Sequence, residues 1–327
     1  GVAPDHQTTK RVTQKYEKTA MMEHVHFYGN VEIGRDVSLD ELRQMYDAVV
    51  LAIGAPSDKK LTIPGADKIG VHGSAAFVGW YNGHPDFRDL EPDLNTTTAV
   101  VIGNGNVAVD VARVLLRSPN GMAESDLPDH VSKIIHAAPI TDVYVVGRRG
   151  PADAKFTNVE LREMGHLNMT APRVKAYQMP EDLGAVLSQY GDRDRRLRTR
   201  NIETLKEFAE CADEGKPKNV HFDFFASPIK ILGGDRVEAI RFERTRVENG
   251  KTSGIGEMFD IECGLVISSI GYRSEPIEGA PFDKKNGIIP NDNGRIEPGL
   301  YAVGWIKRGP SGVISSNRPD GVIVAEY

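Results

Sequence analysis

The sequence predicts an α/β fold built on parallel sheets, and three observations lead to that prediction. Short apolar runs rich in β-branched residues recur along the chain, each run contains or ends at a glycine, and apolar patterns with helical spacing lie between them. Continuous apolar runs of this kind are typical of parallel strands covered on both faces. The runs occupy residues 46–55, 99–103, 142–147, 264–272 and 299–305.

The N-terminal part of the chain shows two helix signals before its first apolar run. The spacing predicts a helix over residues 9–22, and Ser38 with Glu41 forms the pattern of a capping box that begins a short helix. Residues 46–55 follow as a continuous apolar run, which predicts a strand buried on both faces. Pro64 and Gly65 then indicate a crossing between domains.

The strongest local signal is the stretch AVVIGNGNVA at residues 99–108. Its β-branched run leads into Gly103 and Gly105 and then into an apolar pattern with helical spacing. A strand, a tight turn and a helix in this order hold a diphosphate at the helix N-terminus. Gly103 can adopt the turn, Gly105 leaves room for a phosphate, and Ala108 keeps the helix close to the strand. The stretch predicts a dinucleotide site, and a merely close-packed turn is the alternative.

The rest of the chain continues the alternation of strands and helices. The helix after the turn should end before the Ser-Pro-Asn-Gly breaker at residues 118–121. The strand at 237–244 alternates in polarity and should be half-exposed. Further helices are expected at 156–164, at 203–211 and near the C-terminus, and further strands at 142–147, 222–225, 264–272 and 299–305.

An arginine pair follows the second strand of the dinucleotide unit. That strand normally ends in an acidic residue for a ribose 2′-hydroxyl, whereas arginine accommodates a 2′-phosphate. Here it ends in Gly147, Arg148 and Arg149 without a carboxylate. Two guanidinium groups suit a dianionic phosphate through charge-assisted hydrogen bonds. The pair predicts NADP(H) over NAD(H); alone, it is also a common feature of a solvated surface.

The composition of the chain argues against several other classes of protein. A net charge of −6 over 327 residues argues against a general nucleic-acid binder, and no apolar run reaches the roughly 20 residues of a membrane span. Cys211 and Cys263 lie too far apart for a dithiol motif and are too few for an iron–sulfur cluster; no metal site is predicted. A reducing, cytoplasmic location is expected. Because the chain opens without Met, we expect a natural N-terminus to be missing.

Five stretches together resemble one family, the adrenodoxin-reductase-like ferredoxin–NADP(+) reductases of the bacterial type. They are GVAPDH at 1–6, FVGWYNG at 77–83, GNGNVAVDVAR at 103–113, GRRGP at 147–151 and GWIKRGPSGVI at 304–314. The resemblance runs from residue 1 to about residue 315. It implies an enzyme that passes electrons from NADPH through FAD to a small iron–sulfur protein of the ferredoxin type.

The resemblance also implies a role for each matched residue. The diphosphate of NADP would be held by the turn and the start of its helix, the 2′-phosphate by the arginine pair, and the flavin by a C-terminal segment and one backbone contact. Asp110 and His6 resemble a pair near the flavin that matters for proton or electron passage. The binding residues are Gly103, Asn104, Gly105, Asn106, Val107, Arg148, Arg149 and Glu160 for NADP, and Ile33, Trp305, Gly312, Val313 and Ile314 for FAD.

Read without the family, several of these residues have simpler explanations. Asp110 lies in the first turns of its helix, where an acid complements the helix dipole. His6 follows an aspartate and could be an ordinary hydrogen-bonded loop histidine. Trp305, next to an apolar run, could be a packing residue, and the turn at 309–312 could be a bend.

A basic cluster stands apart from these motifs, and Asp192 and Asp194 are the acidic residues that oppose it. In an acidic protein such a cluster could dock an acidic ferredoxin by long-range attraction, or it could be a solvated helix face. The cluster consists of Arg193, Arg195, Arg196, Arg198 and Arg200.

The resemblance implies two Rossmann-like nucleotide-binding domains. An FAD-type domain would comprise residues 1–56 and 273–327, and an NADP-binding domain, residues 57–272, would be inserted into it. The family's first strand–GxGxxG–helix, which holds the FAD diphosphate, has no counterpart in residues 1–60, so the FAD domain is expected to be incomplete. The alternatives are a noncatalytic NADPH-binding fragment that needs another chain for FAD, and a glutamate-synthase-type reductase subunit, which the lack of cysteine clusters disfavours.

Overall fold

The chain folds into two compact units. The computed structural model describes residues 2–210 and 215–327. The large unit comprises Gly1–Lys10 and Lys60–Ile270, and the small unit comprises Arg11–Lys59 and Gly271–Tyr327. Residues 2–10 thus pack with the large unit and not with residues 11–56, because Asp5 and His6 bond to side chains of the large unit.

The strands are short in the small unit and longer in the large one. In chain order they are β1 Val49–Leu51, β2 Ser57–Asp58, β3 Val71–Gly73, β4 Thr98–Ile102, β5 Asp142–Val146, β6 Thr170–Val174, β7 Lys218–Asp223, β8 Ala226–Leu232, β9 Ala239–Glu248, β10 Lys251–Glu262, β11 Leu265–Ser268, β12 Tyr272–Arg273, β13 Arg295–Glu297 and β14 Leu300–Ala302.

The helices alternate with the strands through most of the large unit. In chain order they are α1 Gln7–Lys10, α2 Thr13–Ala20, α3 Leu39–Met45, α4 Ser74–Tyr81, α5 Asn106–Leu116, α6 Pro119–Met122, α7 Asp129–Ala137, α8 Asn158–Gly165, α9 Leu183–Leu187, α10 Asp192–Glu210, α11 Trp305–Arg308 and α12 Asn317–Ala325. No helix within the described ranges is both long and apolar enough to cross a membrane.

The large unit is organised on a parallel sheet whose described strands run in the order β3-β11-β4-β5-β7-β6. This confirms the predicted α/β class. The two faces of β4 contribute to two cores: Ala99 and Val101 belong to the core that includes α5, whereas Val100 and Ile102 pack with residues of the β8–β10 sheet. Burial on both faces is why β4 reads as an unbroken apolar run.

The second face is covered by an antiparallel sheet of order β10-β9-β8. The alternation expected at 237–244 is confirmed, since Ile240 and Phe242 are buried while Arg241 is exposed. The register of β9 against β10 shifts between Gly254 and Met258. Helix α10 begins earlier than expected and is described to Glu210; Cys211, the end of the predicted helix, lies outside the described residues.

The small unit contains a sheet of order β1-β14-β13 and the pair β2–β12. The capping box of α3 is confirmed, because Ser38 Oγ accepts from the Glu41 backbone and the Glu41 carboxylate accepts from the Ser38 backbone. The predicted burial of residues 46–55 is wrong: Val50 is 47% and Ile53 43% exposed. The reason is that Leu51 and Val49 pack into the core of the small unit, whereas Val50 points to the opposite face of β1, which no core cluster of the described residues covers.

The predicted helix over residues 9–22 is also interrupted. Helix α1 ends at Lys10, and α2 begins at Thr13. The interruption falls at the division between the two units, with α1 in the large unit and α2 in the small one. A single continuous helix is therefore not how this segment folds.

Candidate functional site

The turn between β4 and α5 has a geometry that depends on two glycines in different ways. Gly103 has φ +139°, and a Cβ at this position would overlap the Ser269 carbonyl oxygen. Gly105, the N-cap of α5, has an ordinary φ of −109°, and a Cβ there would meet nothing within 4 Å. Gly103 therefore allows the close approach of two strand ends, whereas Gly105 leaves open space in front of the helix. The first backbone N–H groups of an α-helix have no acceptor within the helix, so this end of α5 suits an anion.

Asn104 and Asn106 tie this turn to the segment before α8. The Asn104 carbonyl accepts from the backbone N–H of Lys155 at 2.7 Å and of Phe156 at 3.1 Å. Asn106 Oδ1 accepts from the Thr157 backbone at 2.7 Å. The Asn104 Oδ1 atom is buried and has no hydrogen-bond partner among the described residues. A buried polar oxygen rarely stays unpaired, so this atom fits a hydrogen-bond donor on a bound ligand.

The arginine pair lies just after β5, and its two members differ. Arg149 donates from Nη2 to the Gly250 carbonyl at 3.0 Å and lies 3.6 Å from an Asp153 carboxylate oxygen. Arg148 is exposed, and its guanidinium has no partner among the described residues. The Gly103 backbone N–H donates to the Val146 carbonyl at 2.8 Å, so the turn and the arginine-bearing end of β5 are directly connected. Within the described residues, Arg148 is thus the member of the pair whose guanidinium is not engaged by the protein.

The next feature is a buried cluster of charges around Arg113, which is 0% exposed. The Arg113 guanidinium contacts Asp5 at 2.7 and 3.0 Å, Asp110 at 2.8 Å and Glu160 at 3.2 Å. Glu163 lies 3.6 Å away. These carboxylates come from the N-terminal segment, α5 and α8, so Arg113 joins three parts of the large unit. We call this set, with His6 and Arg117, the charge cluster.

His6 lies in the same cluster. Its Nε2 is 3.1 Å from Glu163 Oε2 and 3.3 Å from Glu160 Oε2. The predicted partners His6 and Asp110 are thus brought into one cluster, where His6 bonds to the glutamates of α8 and Asp110 bonds to Arg113. Their roles in proton or electron passage stay a prediction.

The pKa values of the carboxyl groups in the charge cluster are shifted in opposite directions. Burial alone would raise the pKa of Asp5, but hydrogen bonds and charge from Arg113 and Arg117 outweigh it and lower the pKa to about 2. Burial, helped by the charge of Asp110, raises the pKa of Glu160 to about 7. Burial also raises the pKa of Asp110, although Arg113 opposes it.

The histidine and its partner titrate as an ion pair. The hydrogen bond to Glu163 raises the pKa of His6, and the same bond lowers the pKa of Glu163. The cluster therefore places Glu160, whose pKa is about 7, beside His6, whose protonated form is favoured by the bond to Glu163. Groups poised in this way are common at functional sites.

The side chains of His6, Glu160 and Glu163 also offer donor atoms within 4.8 Å of one another, a set that the sequence did not indicate as a metal site. The oxygens that would bind an ion already contact a cation. Arg113 lies 3.2 Å from Glu160 Oε2 and 3.6 Å from Glu163 Oε2. Repulsion from this buried guanidinium disfavours a second cation at the same atoms.

The predicted flavin residues all lie in the small unit. Trp305 begins α11, donates from its indole nitrogen to the Ser311 carbonyl at 3.1 Å and stacks on Tyr272 at 5.7 Å. Gly312 has φ +81°, and a Cβ there would press on Ser316. The turn therefore requires glycine, and Trp305 is held by Ser311 of its own segment and by Tyr272 of β12.

The apolar members of this set are exposed. Val313 and Ile314 follow Gly312 directly and present apolar surface, and Ile33 forms an isolated bridge with Val37 and is also exposed. Exposed apolar side chains next to the turn at Gly312 can pack against the aromatic ring system of a bound ligand. The structure joins Trp305 and residues 312–314 in one segment; it records no contact between Ile33 and that segment.

The sequence analysis missed Asp5, Arg113 and Glu163. One signal was available for Arg113: it interrupts the apolar pattern of the 107–116 helix three residues after Asp110, so a second charge had to share the buried side of α5. Asp5 and Glu163 had no such signal, because their partners lie far away in the sequence.

The basic cluster proves to be part of α10 and divides into two kinds of residue. Arg198 stacks on the Tyr190 ring at 3.8 Å and donates to the Ala152 carbonyl, so it serves packing. Arg193, Arg196 and Arg200 are exposed at helical spacings that share one face. Arg195 is exposed and donates to the Tyr190 carbonyl at 3.2 Å. Arg196 likewise donates to the Asp192 carbonyl at 3.3 Å, so Arg198 is the member of the cluster that the structure removes from the exposed basic face.

Comparison with known proteins places these features in a family. Residues 4–149 match the model of the pyridine nucleotide-disulphide oxidoreductases. The chain is 42% identical over 327 residues to NADPH-ferredoxin reductase FprA of Mycobacterium tuberculosis H37Rv, covering 98% of this chain and 71% of that protein. It is 41% identical over 343 residues to the mitochondrial NADPH:adrenodoxin oxidoreductase of Homo sapiens, covering 100% and 69%.

The fold agrees with solved structures of FprA. The structure of Mycobacterium tuberculosis FprA in complex with NADPH matches with a TM-score of 0.91 and 41% identity, covering 100% of this chain and 72% of that one. An atomic-resolution structure of FprA with a covalently modified NADP+ matches with the same TM-score and 42% identity. The glycine turn, the arginine pair and the tryptophan segment therefore lie in a chain that belongs to the adrenodoxin-reductase-like family of ferredoxin–NADP(+) reductases.

Proposed function

We propose that the chain is an NADPH:ferredoxin oxidoreductase that takes a hydride from NADPH onto FAD and passes single electrons to a small iron–sulfur protein. The observation that carries the proposal is the open N-terminus of α5 together with Arg148, an exposed cation whose guanidinium has no partner in the part of the chain that the structure describes. An anion site at a helix end and a guanidinium at the next strand end suit the diphosphate and the 2′-phosphate of NADPH.

The chain's residues divide the work of holding NADPH. The backbone of residues 103–107 receives the diphosphate, and Arg148 with Arg149 receives the 2′-phosphate. The buried Asn104 Oδ1 accepts a donor from the nucleotide. Glu160 joins this site to the charge cluster through its contacts with Arg113 and His6.

The small unit supplies the residues for FAD. Ile33, Trp305, Gly312, Val313 and Ile314 offer an aromatic ring, a glycine turn and exposed apolar surface. Bound FAD supplies the conversion of a two-electron donor into one-electron steps. The hydride transfer itself needs no acid or base from the protein; His6 and Asp110 would hold and move protons beside it.

The proposal is tested on the purified chain. We expect a flavin absorbance band at about 450 nm and ferredoxin reduction that requires NADPH. The second candidate is a noncatalytic NADPH-binding fragment, favoured by the exposure of Val50 on β1 and of Ile53, which follows that strand. NADPH binding without flavin and without ferredoxin reduction would select it.

We also propose a cytoplasmic location, as expected from the sequence.

Coenzyme choice provides a sharper test at the arginine pair. We expect Arg148→Ala with Arg149→Ala to weaken NADPH binding on the order of 10–100-fold, since a charge-assisted hydrogen bond is lost, and to leave NADH binding nearly unchanged. Of the two single variants, Arg148→Ala should lose more NADPH affinity than Arg149→Ala, because the Arg149 guanidinium already donates to the Gly250 carbonyl. The measurement is the dissociation constant of each coenzyme.

The control is Arg241→Ala, which removes an exposed arginine paired with Asp260 in the β8–β10 sheet. It should leave both dissociation constants unchanged. Equal losses for NADPH and NADH in the double variant would refute the assignment of the pair to the 2′-phosphate.

A further inference from the structure

The loop that carries the arginine pair has its backbone bonded at each residue from 147 to 149. The Gly147 N–H donates to the Asp223 carbonyl at 2.9 Å, and the Gly147 carbonyl accepts from the Ala226 N–H at 3.0 Å. The Arg149 carbonyl accepts from the Phe225 N–H at 3.2 Å. The segment between β7 and β8 therefore acts as a backbone support for both ends of the loop.

Phe225 provides this support in an unusual conformation. Its φ is +55°, in the left-handed region that a bulky residue rarely adopts, and such strain persists only where the surroundings enforce it. The Phe225 ring lies directly against Gly150, where a Cβ would overlap its edge. The turn is thus shaped around the end of the arginine loop.

The middle of the loop is held by a side chain from β9. Thr245 Oγ1 donates to the Arg148 carbonyl at 2.7 Å, and Thr245 is 7% exposed. The Thr245 backbone N–H donates to the Phe225 carbonyl at 2.9 Å, which fixes Thr245 to the same support. The hydroxyl is the one side-chain contact in this set, so it is the one that a substitution can remove without altering the backbone.

The same hairpin also reaches the second arginine, because the Gly250 carbonyl at the turn between β9 and β10 accepts from the Arg149 guanidinium. Arg148 differs, since its guanidinium has no partner within the described residues. The direction in which the Arg148 side chain leaves the loop is therefore set by the position of its own backbone. Between the backbone bonds of Gly147 and Arg149, the Thr245 hydroxyl is the contact that holds the Arg148 carbonyl itself.

We propose that Thr245 is a positioning residue that sets the coenzyme preference by holding the Arg148 backbone, so that the guanidinium is aimed at the 2′-phosphate before the nucleotide arrives. The proposal rests on the proposed role of Arg148. Thr245 contacts the loop and does not act on the nucleotide itself. Prior alignment of a cation removes part of the ordering cost of binding, and its loss is felt only by ligands that carry the 2′-phosphate.

The test compares two probes that differ by that group, adenosine 2′,5′-bisphosphate and 5′-AMP, by calorimetric titration of the full chain. We expect Thr245→Val to weaken the bisphosphate about tenfold, the size of effect of one lost hydrogen bond, and to leave 5′-AMP unchanged. Thr245→Ser keeps the hydroxyl and should restore wild-type affinity for both probes.

The matched control is Thr252→Val on β10 of the same hairpin. The Thr252 Oγ1 atom is buried and has no hydrogen-bond partner among the described residues, so removing it should change neither affinity. If Thr245→Val does not fold, Thr245→Ala is measured with the same probes. An equal loss of both probes, or of neither, overturns the proposal.

Arg148→Ala separates this inference from the function on which it rests. If Arg148→Ala loses its preference for the bisphosphate but Thr245→Val keeps it, Arg148 binds the 2′-phosphate and Thr245 does not position it. Retention of the preference in Arg148→Ala defeats the assignment of Arg148 to the 2′-phosphate and the role of Thr245 with it.

Discussion

Glu160 and Glu163 lie three residues apart on α8, yet their environments push their acidities in opposite directions. Glu160 shares its site with Asp110 and is desolvated, so it holds its proton to higher pH. Glu163 receives the hydrogen bond of His6, which favours its ionised form. Helix α8 therefore contributes to the charge cluster one carboxyl that resists ionisation and one whose ionised form is favoured.

The first consequence concerns the pH dependence of stability. The pKa of Glu160 is about 7 in the folded chain against 4.5 for the free side chain, so the unfolded chain loses this proton first as the pH rises. The contribution of Glu160 to the free energy of unfolding therefore falls between about pH 4.5 and 7. We expect Glu160→Gln to remove this fall, on the order of 2 kcal/mol, in denaturation measured from pH 5 to 8.

Glu163→Gln is the matched control, because it makes the same change on the same helix. The pKa of Glu163 is lowered, so its ionisation stabilises the fold above its ordinary pKa and that stability is lost as the pH falls through the folded value. Glu163→Gln should therefore destabilise the chain at pH 7 and have less effect in acid. The same sign of effect for both variants at pH 7 would contradict the opposed environments.

The sequence allowed the prediction of those site residues whose role is local. Gly103 and Gly105 announce the turn because the strand before them and the helix after them are adjacent in the chain. Arg113 was missed as the centre of the charge cluster, because its carboxylates come from Asp5 and Glu160, far from it in sequence. Such contacts depend on the packing of whole elements, which local patterns do not specify.

At the scale of elements, the two glycines of the turn between β4 and α5 have different roles: we expect the fold to require Gly103 and ligand binding to require Gly105. Gly103→Ala places a Cβ on the Ser269 carbonyl at a positive φ, and we expect it to lower the free energy of unfolding by about 2–4 kcal/mol. Gly105→Ala meets open space at an ordinary φ, so stability should change by less than about 1 kcal/mol. NADPH affinity should nevertheless fall in Gly105→Ala, because the methyl group occupies the space in front of α5.

Denaturation and NADPH titration of the two variants check this separation. Gly105→Ala serves as the control for the stability measurement, and Gly103→Ala shows what loss of the turn does to binding. Wild-type NADPH affinity in Gly105→Ala would show that the nucleotide does not approach this end of the helix.

The strands show why burial was harder to predict than strand position. The runs at β4 and β1 look alike in sequence, and both form strands. β4 lies inside a sheet with a packed layer on each face, whereas β1 lies at the edge of its sheet with Val50 exposed. An apolar run indicates that a strand is suited to burial. Whether the strand is buried depends on the elements that pack against it, and the run itself does not specify these.

At the scale of the whole molecule, the acidic chain carries a basic stripe on α10. Arg193, Arg196 and Arg200 are exposed on one helix face, against a net charge of −6. We expect Arg193→Glu with Arg196→Glu to raise the KM for an acidic ferredoxin about tenfold at low salt and to weaken its salt dependence, since steering charges act through association. The kcat of electron transfer from NADPH to ferricyanide should stay unchanged.

Lys133→Glu with Lys230→Glu is the control, since it changes the net charge equally at exposed positions outside α10. If both double variants raise the KM for ferredoxin alike, the effect belongs to the overall charge. The stripe would then be an ordinary solvated helix face.

The overlap that forbids a side chain at Gly103 involves Ser269, which follows β11, and this has a consequence for how the chain is made. β11 pairs with β4 and β3, although residues 265–268 emerge from the ribosome long after residues 98–102. Pairing between such distant segments closes a large loop and is slow. The turn between β4 and α5 therefore reaches its final geometry only after β11 has been synthesised and inserted between its neighbours, and until then the edges of β3 and β4 are open to misassembly.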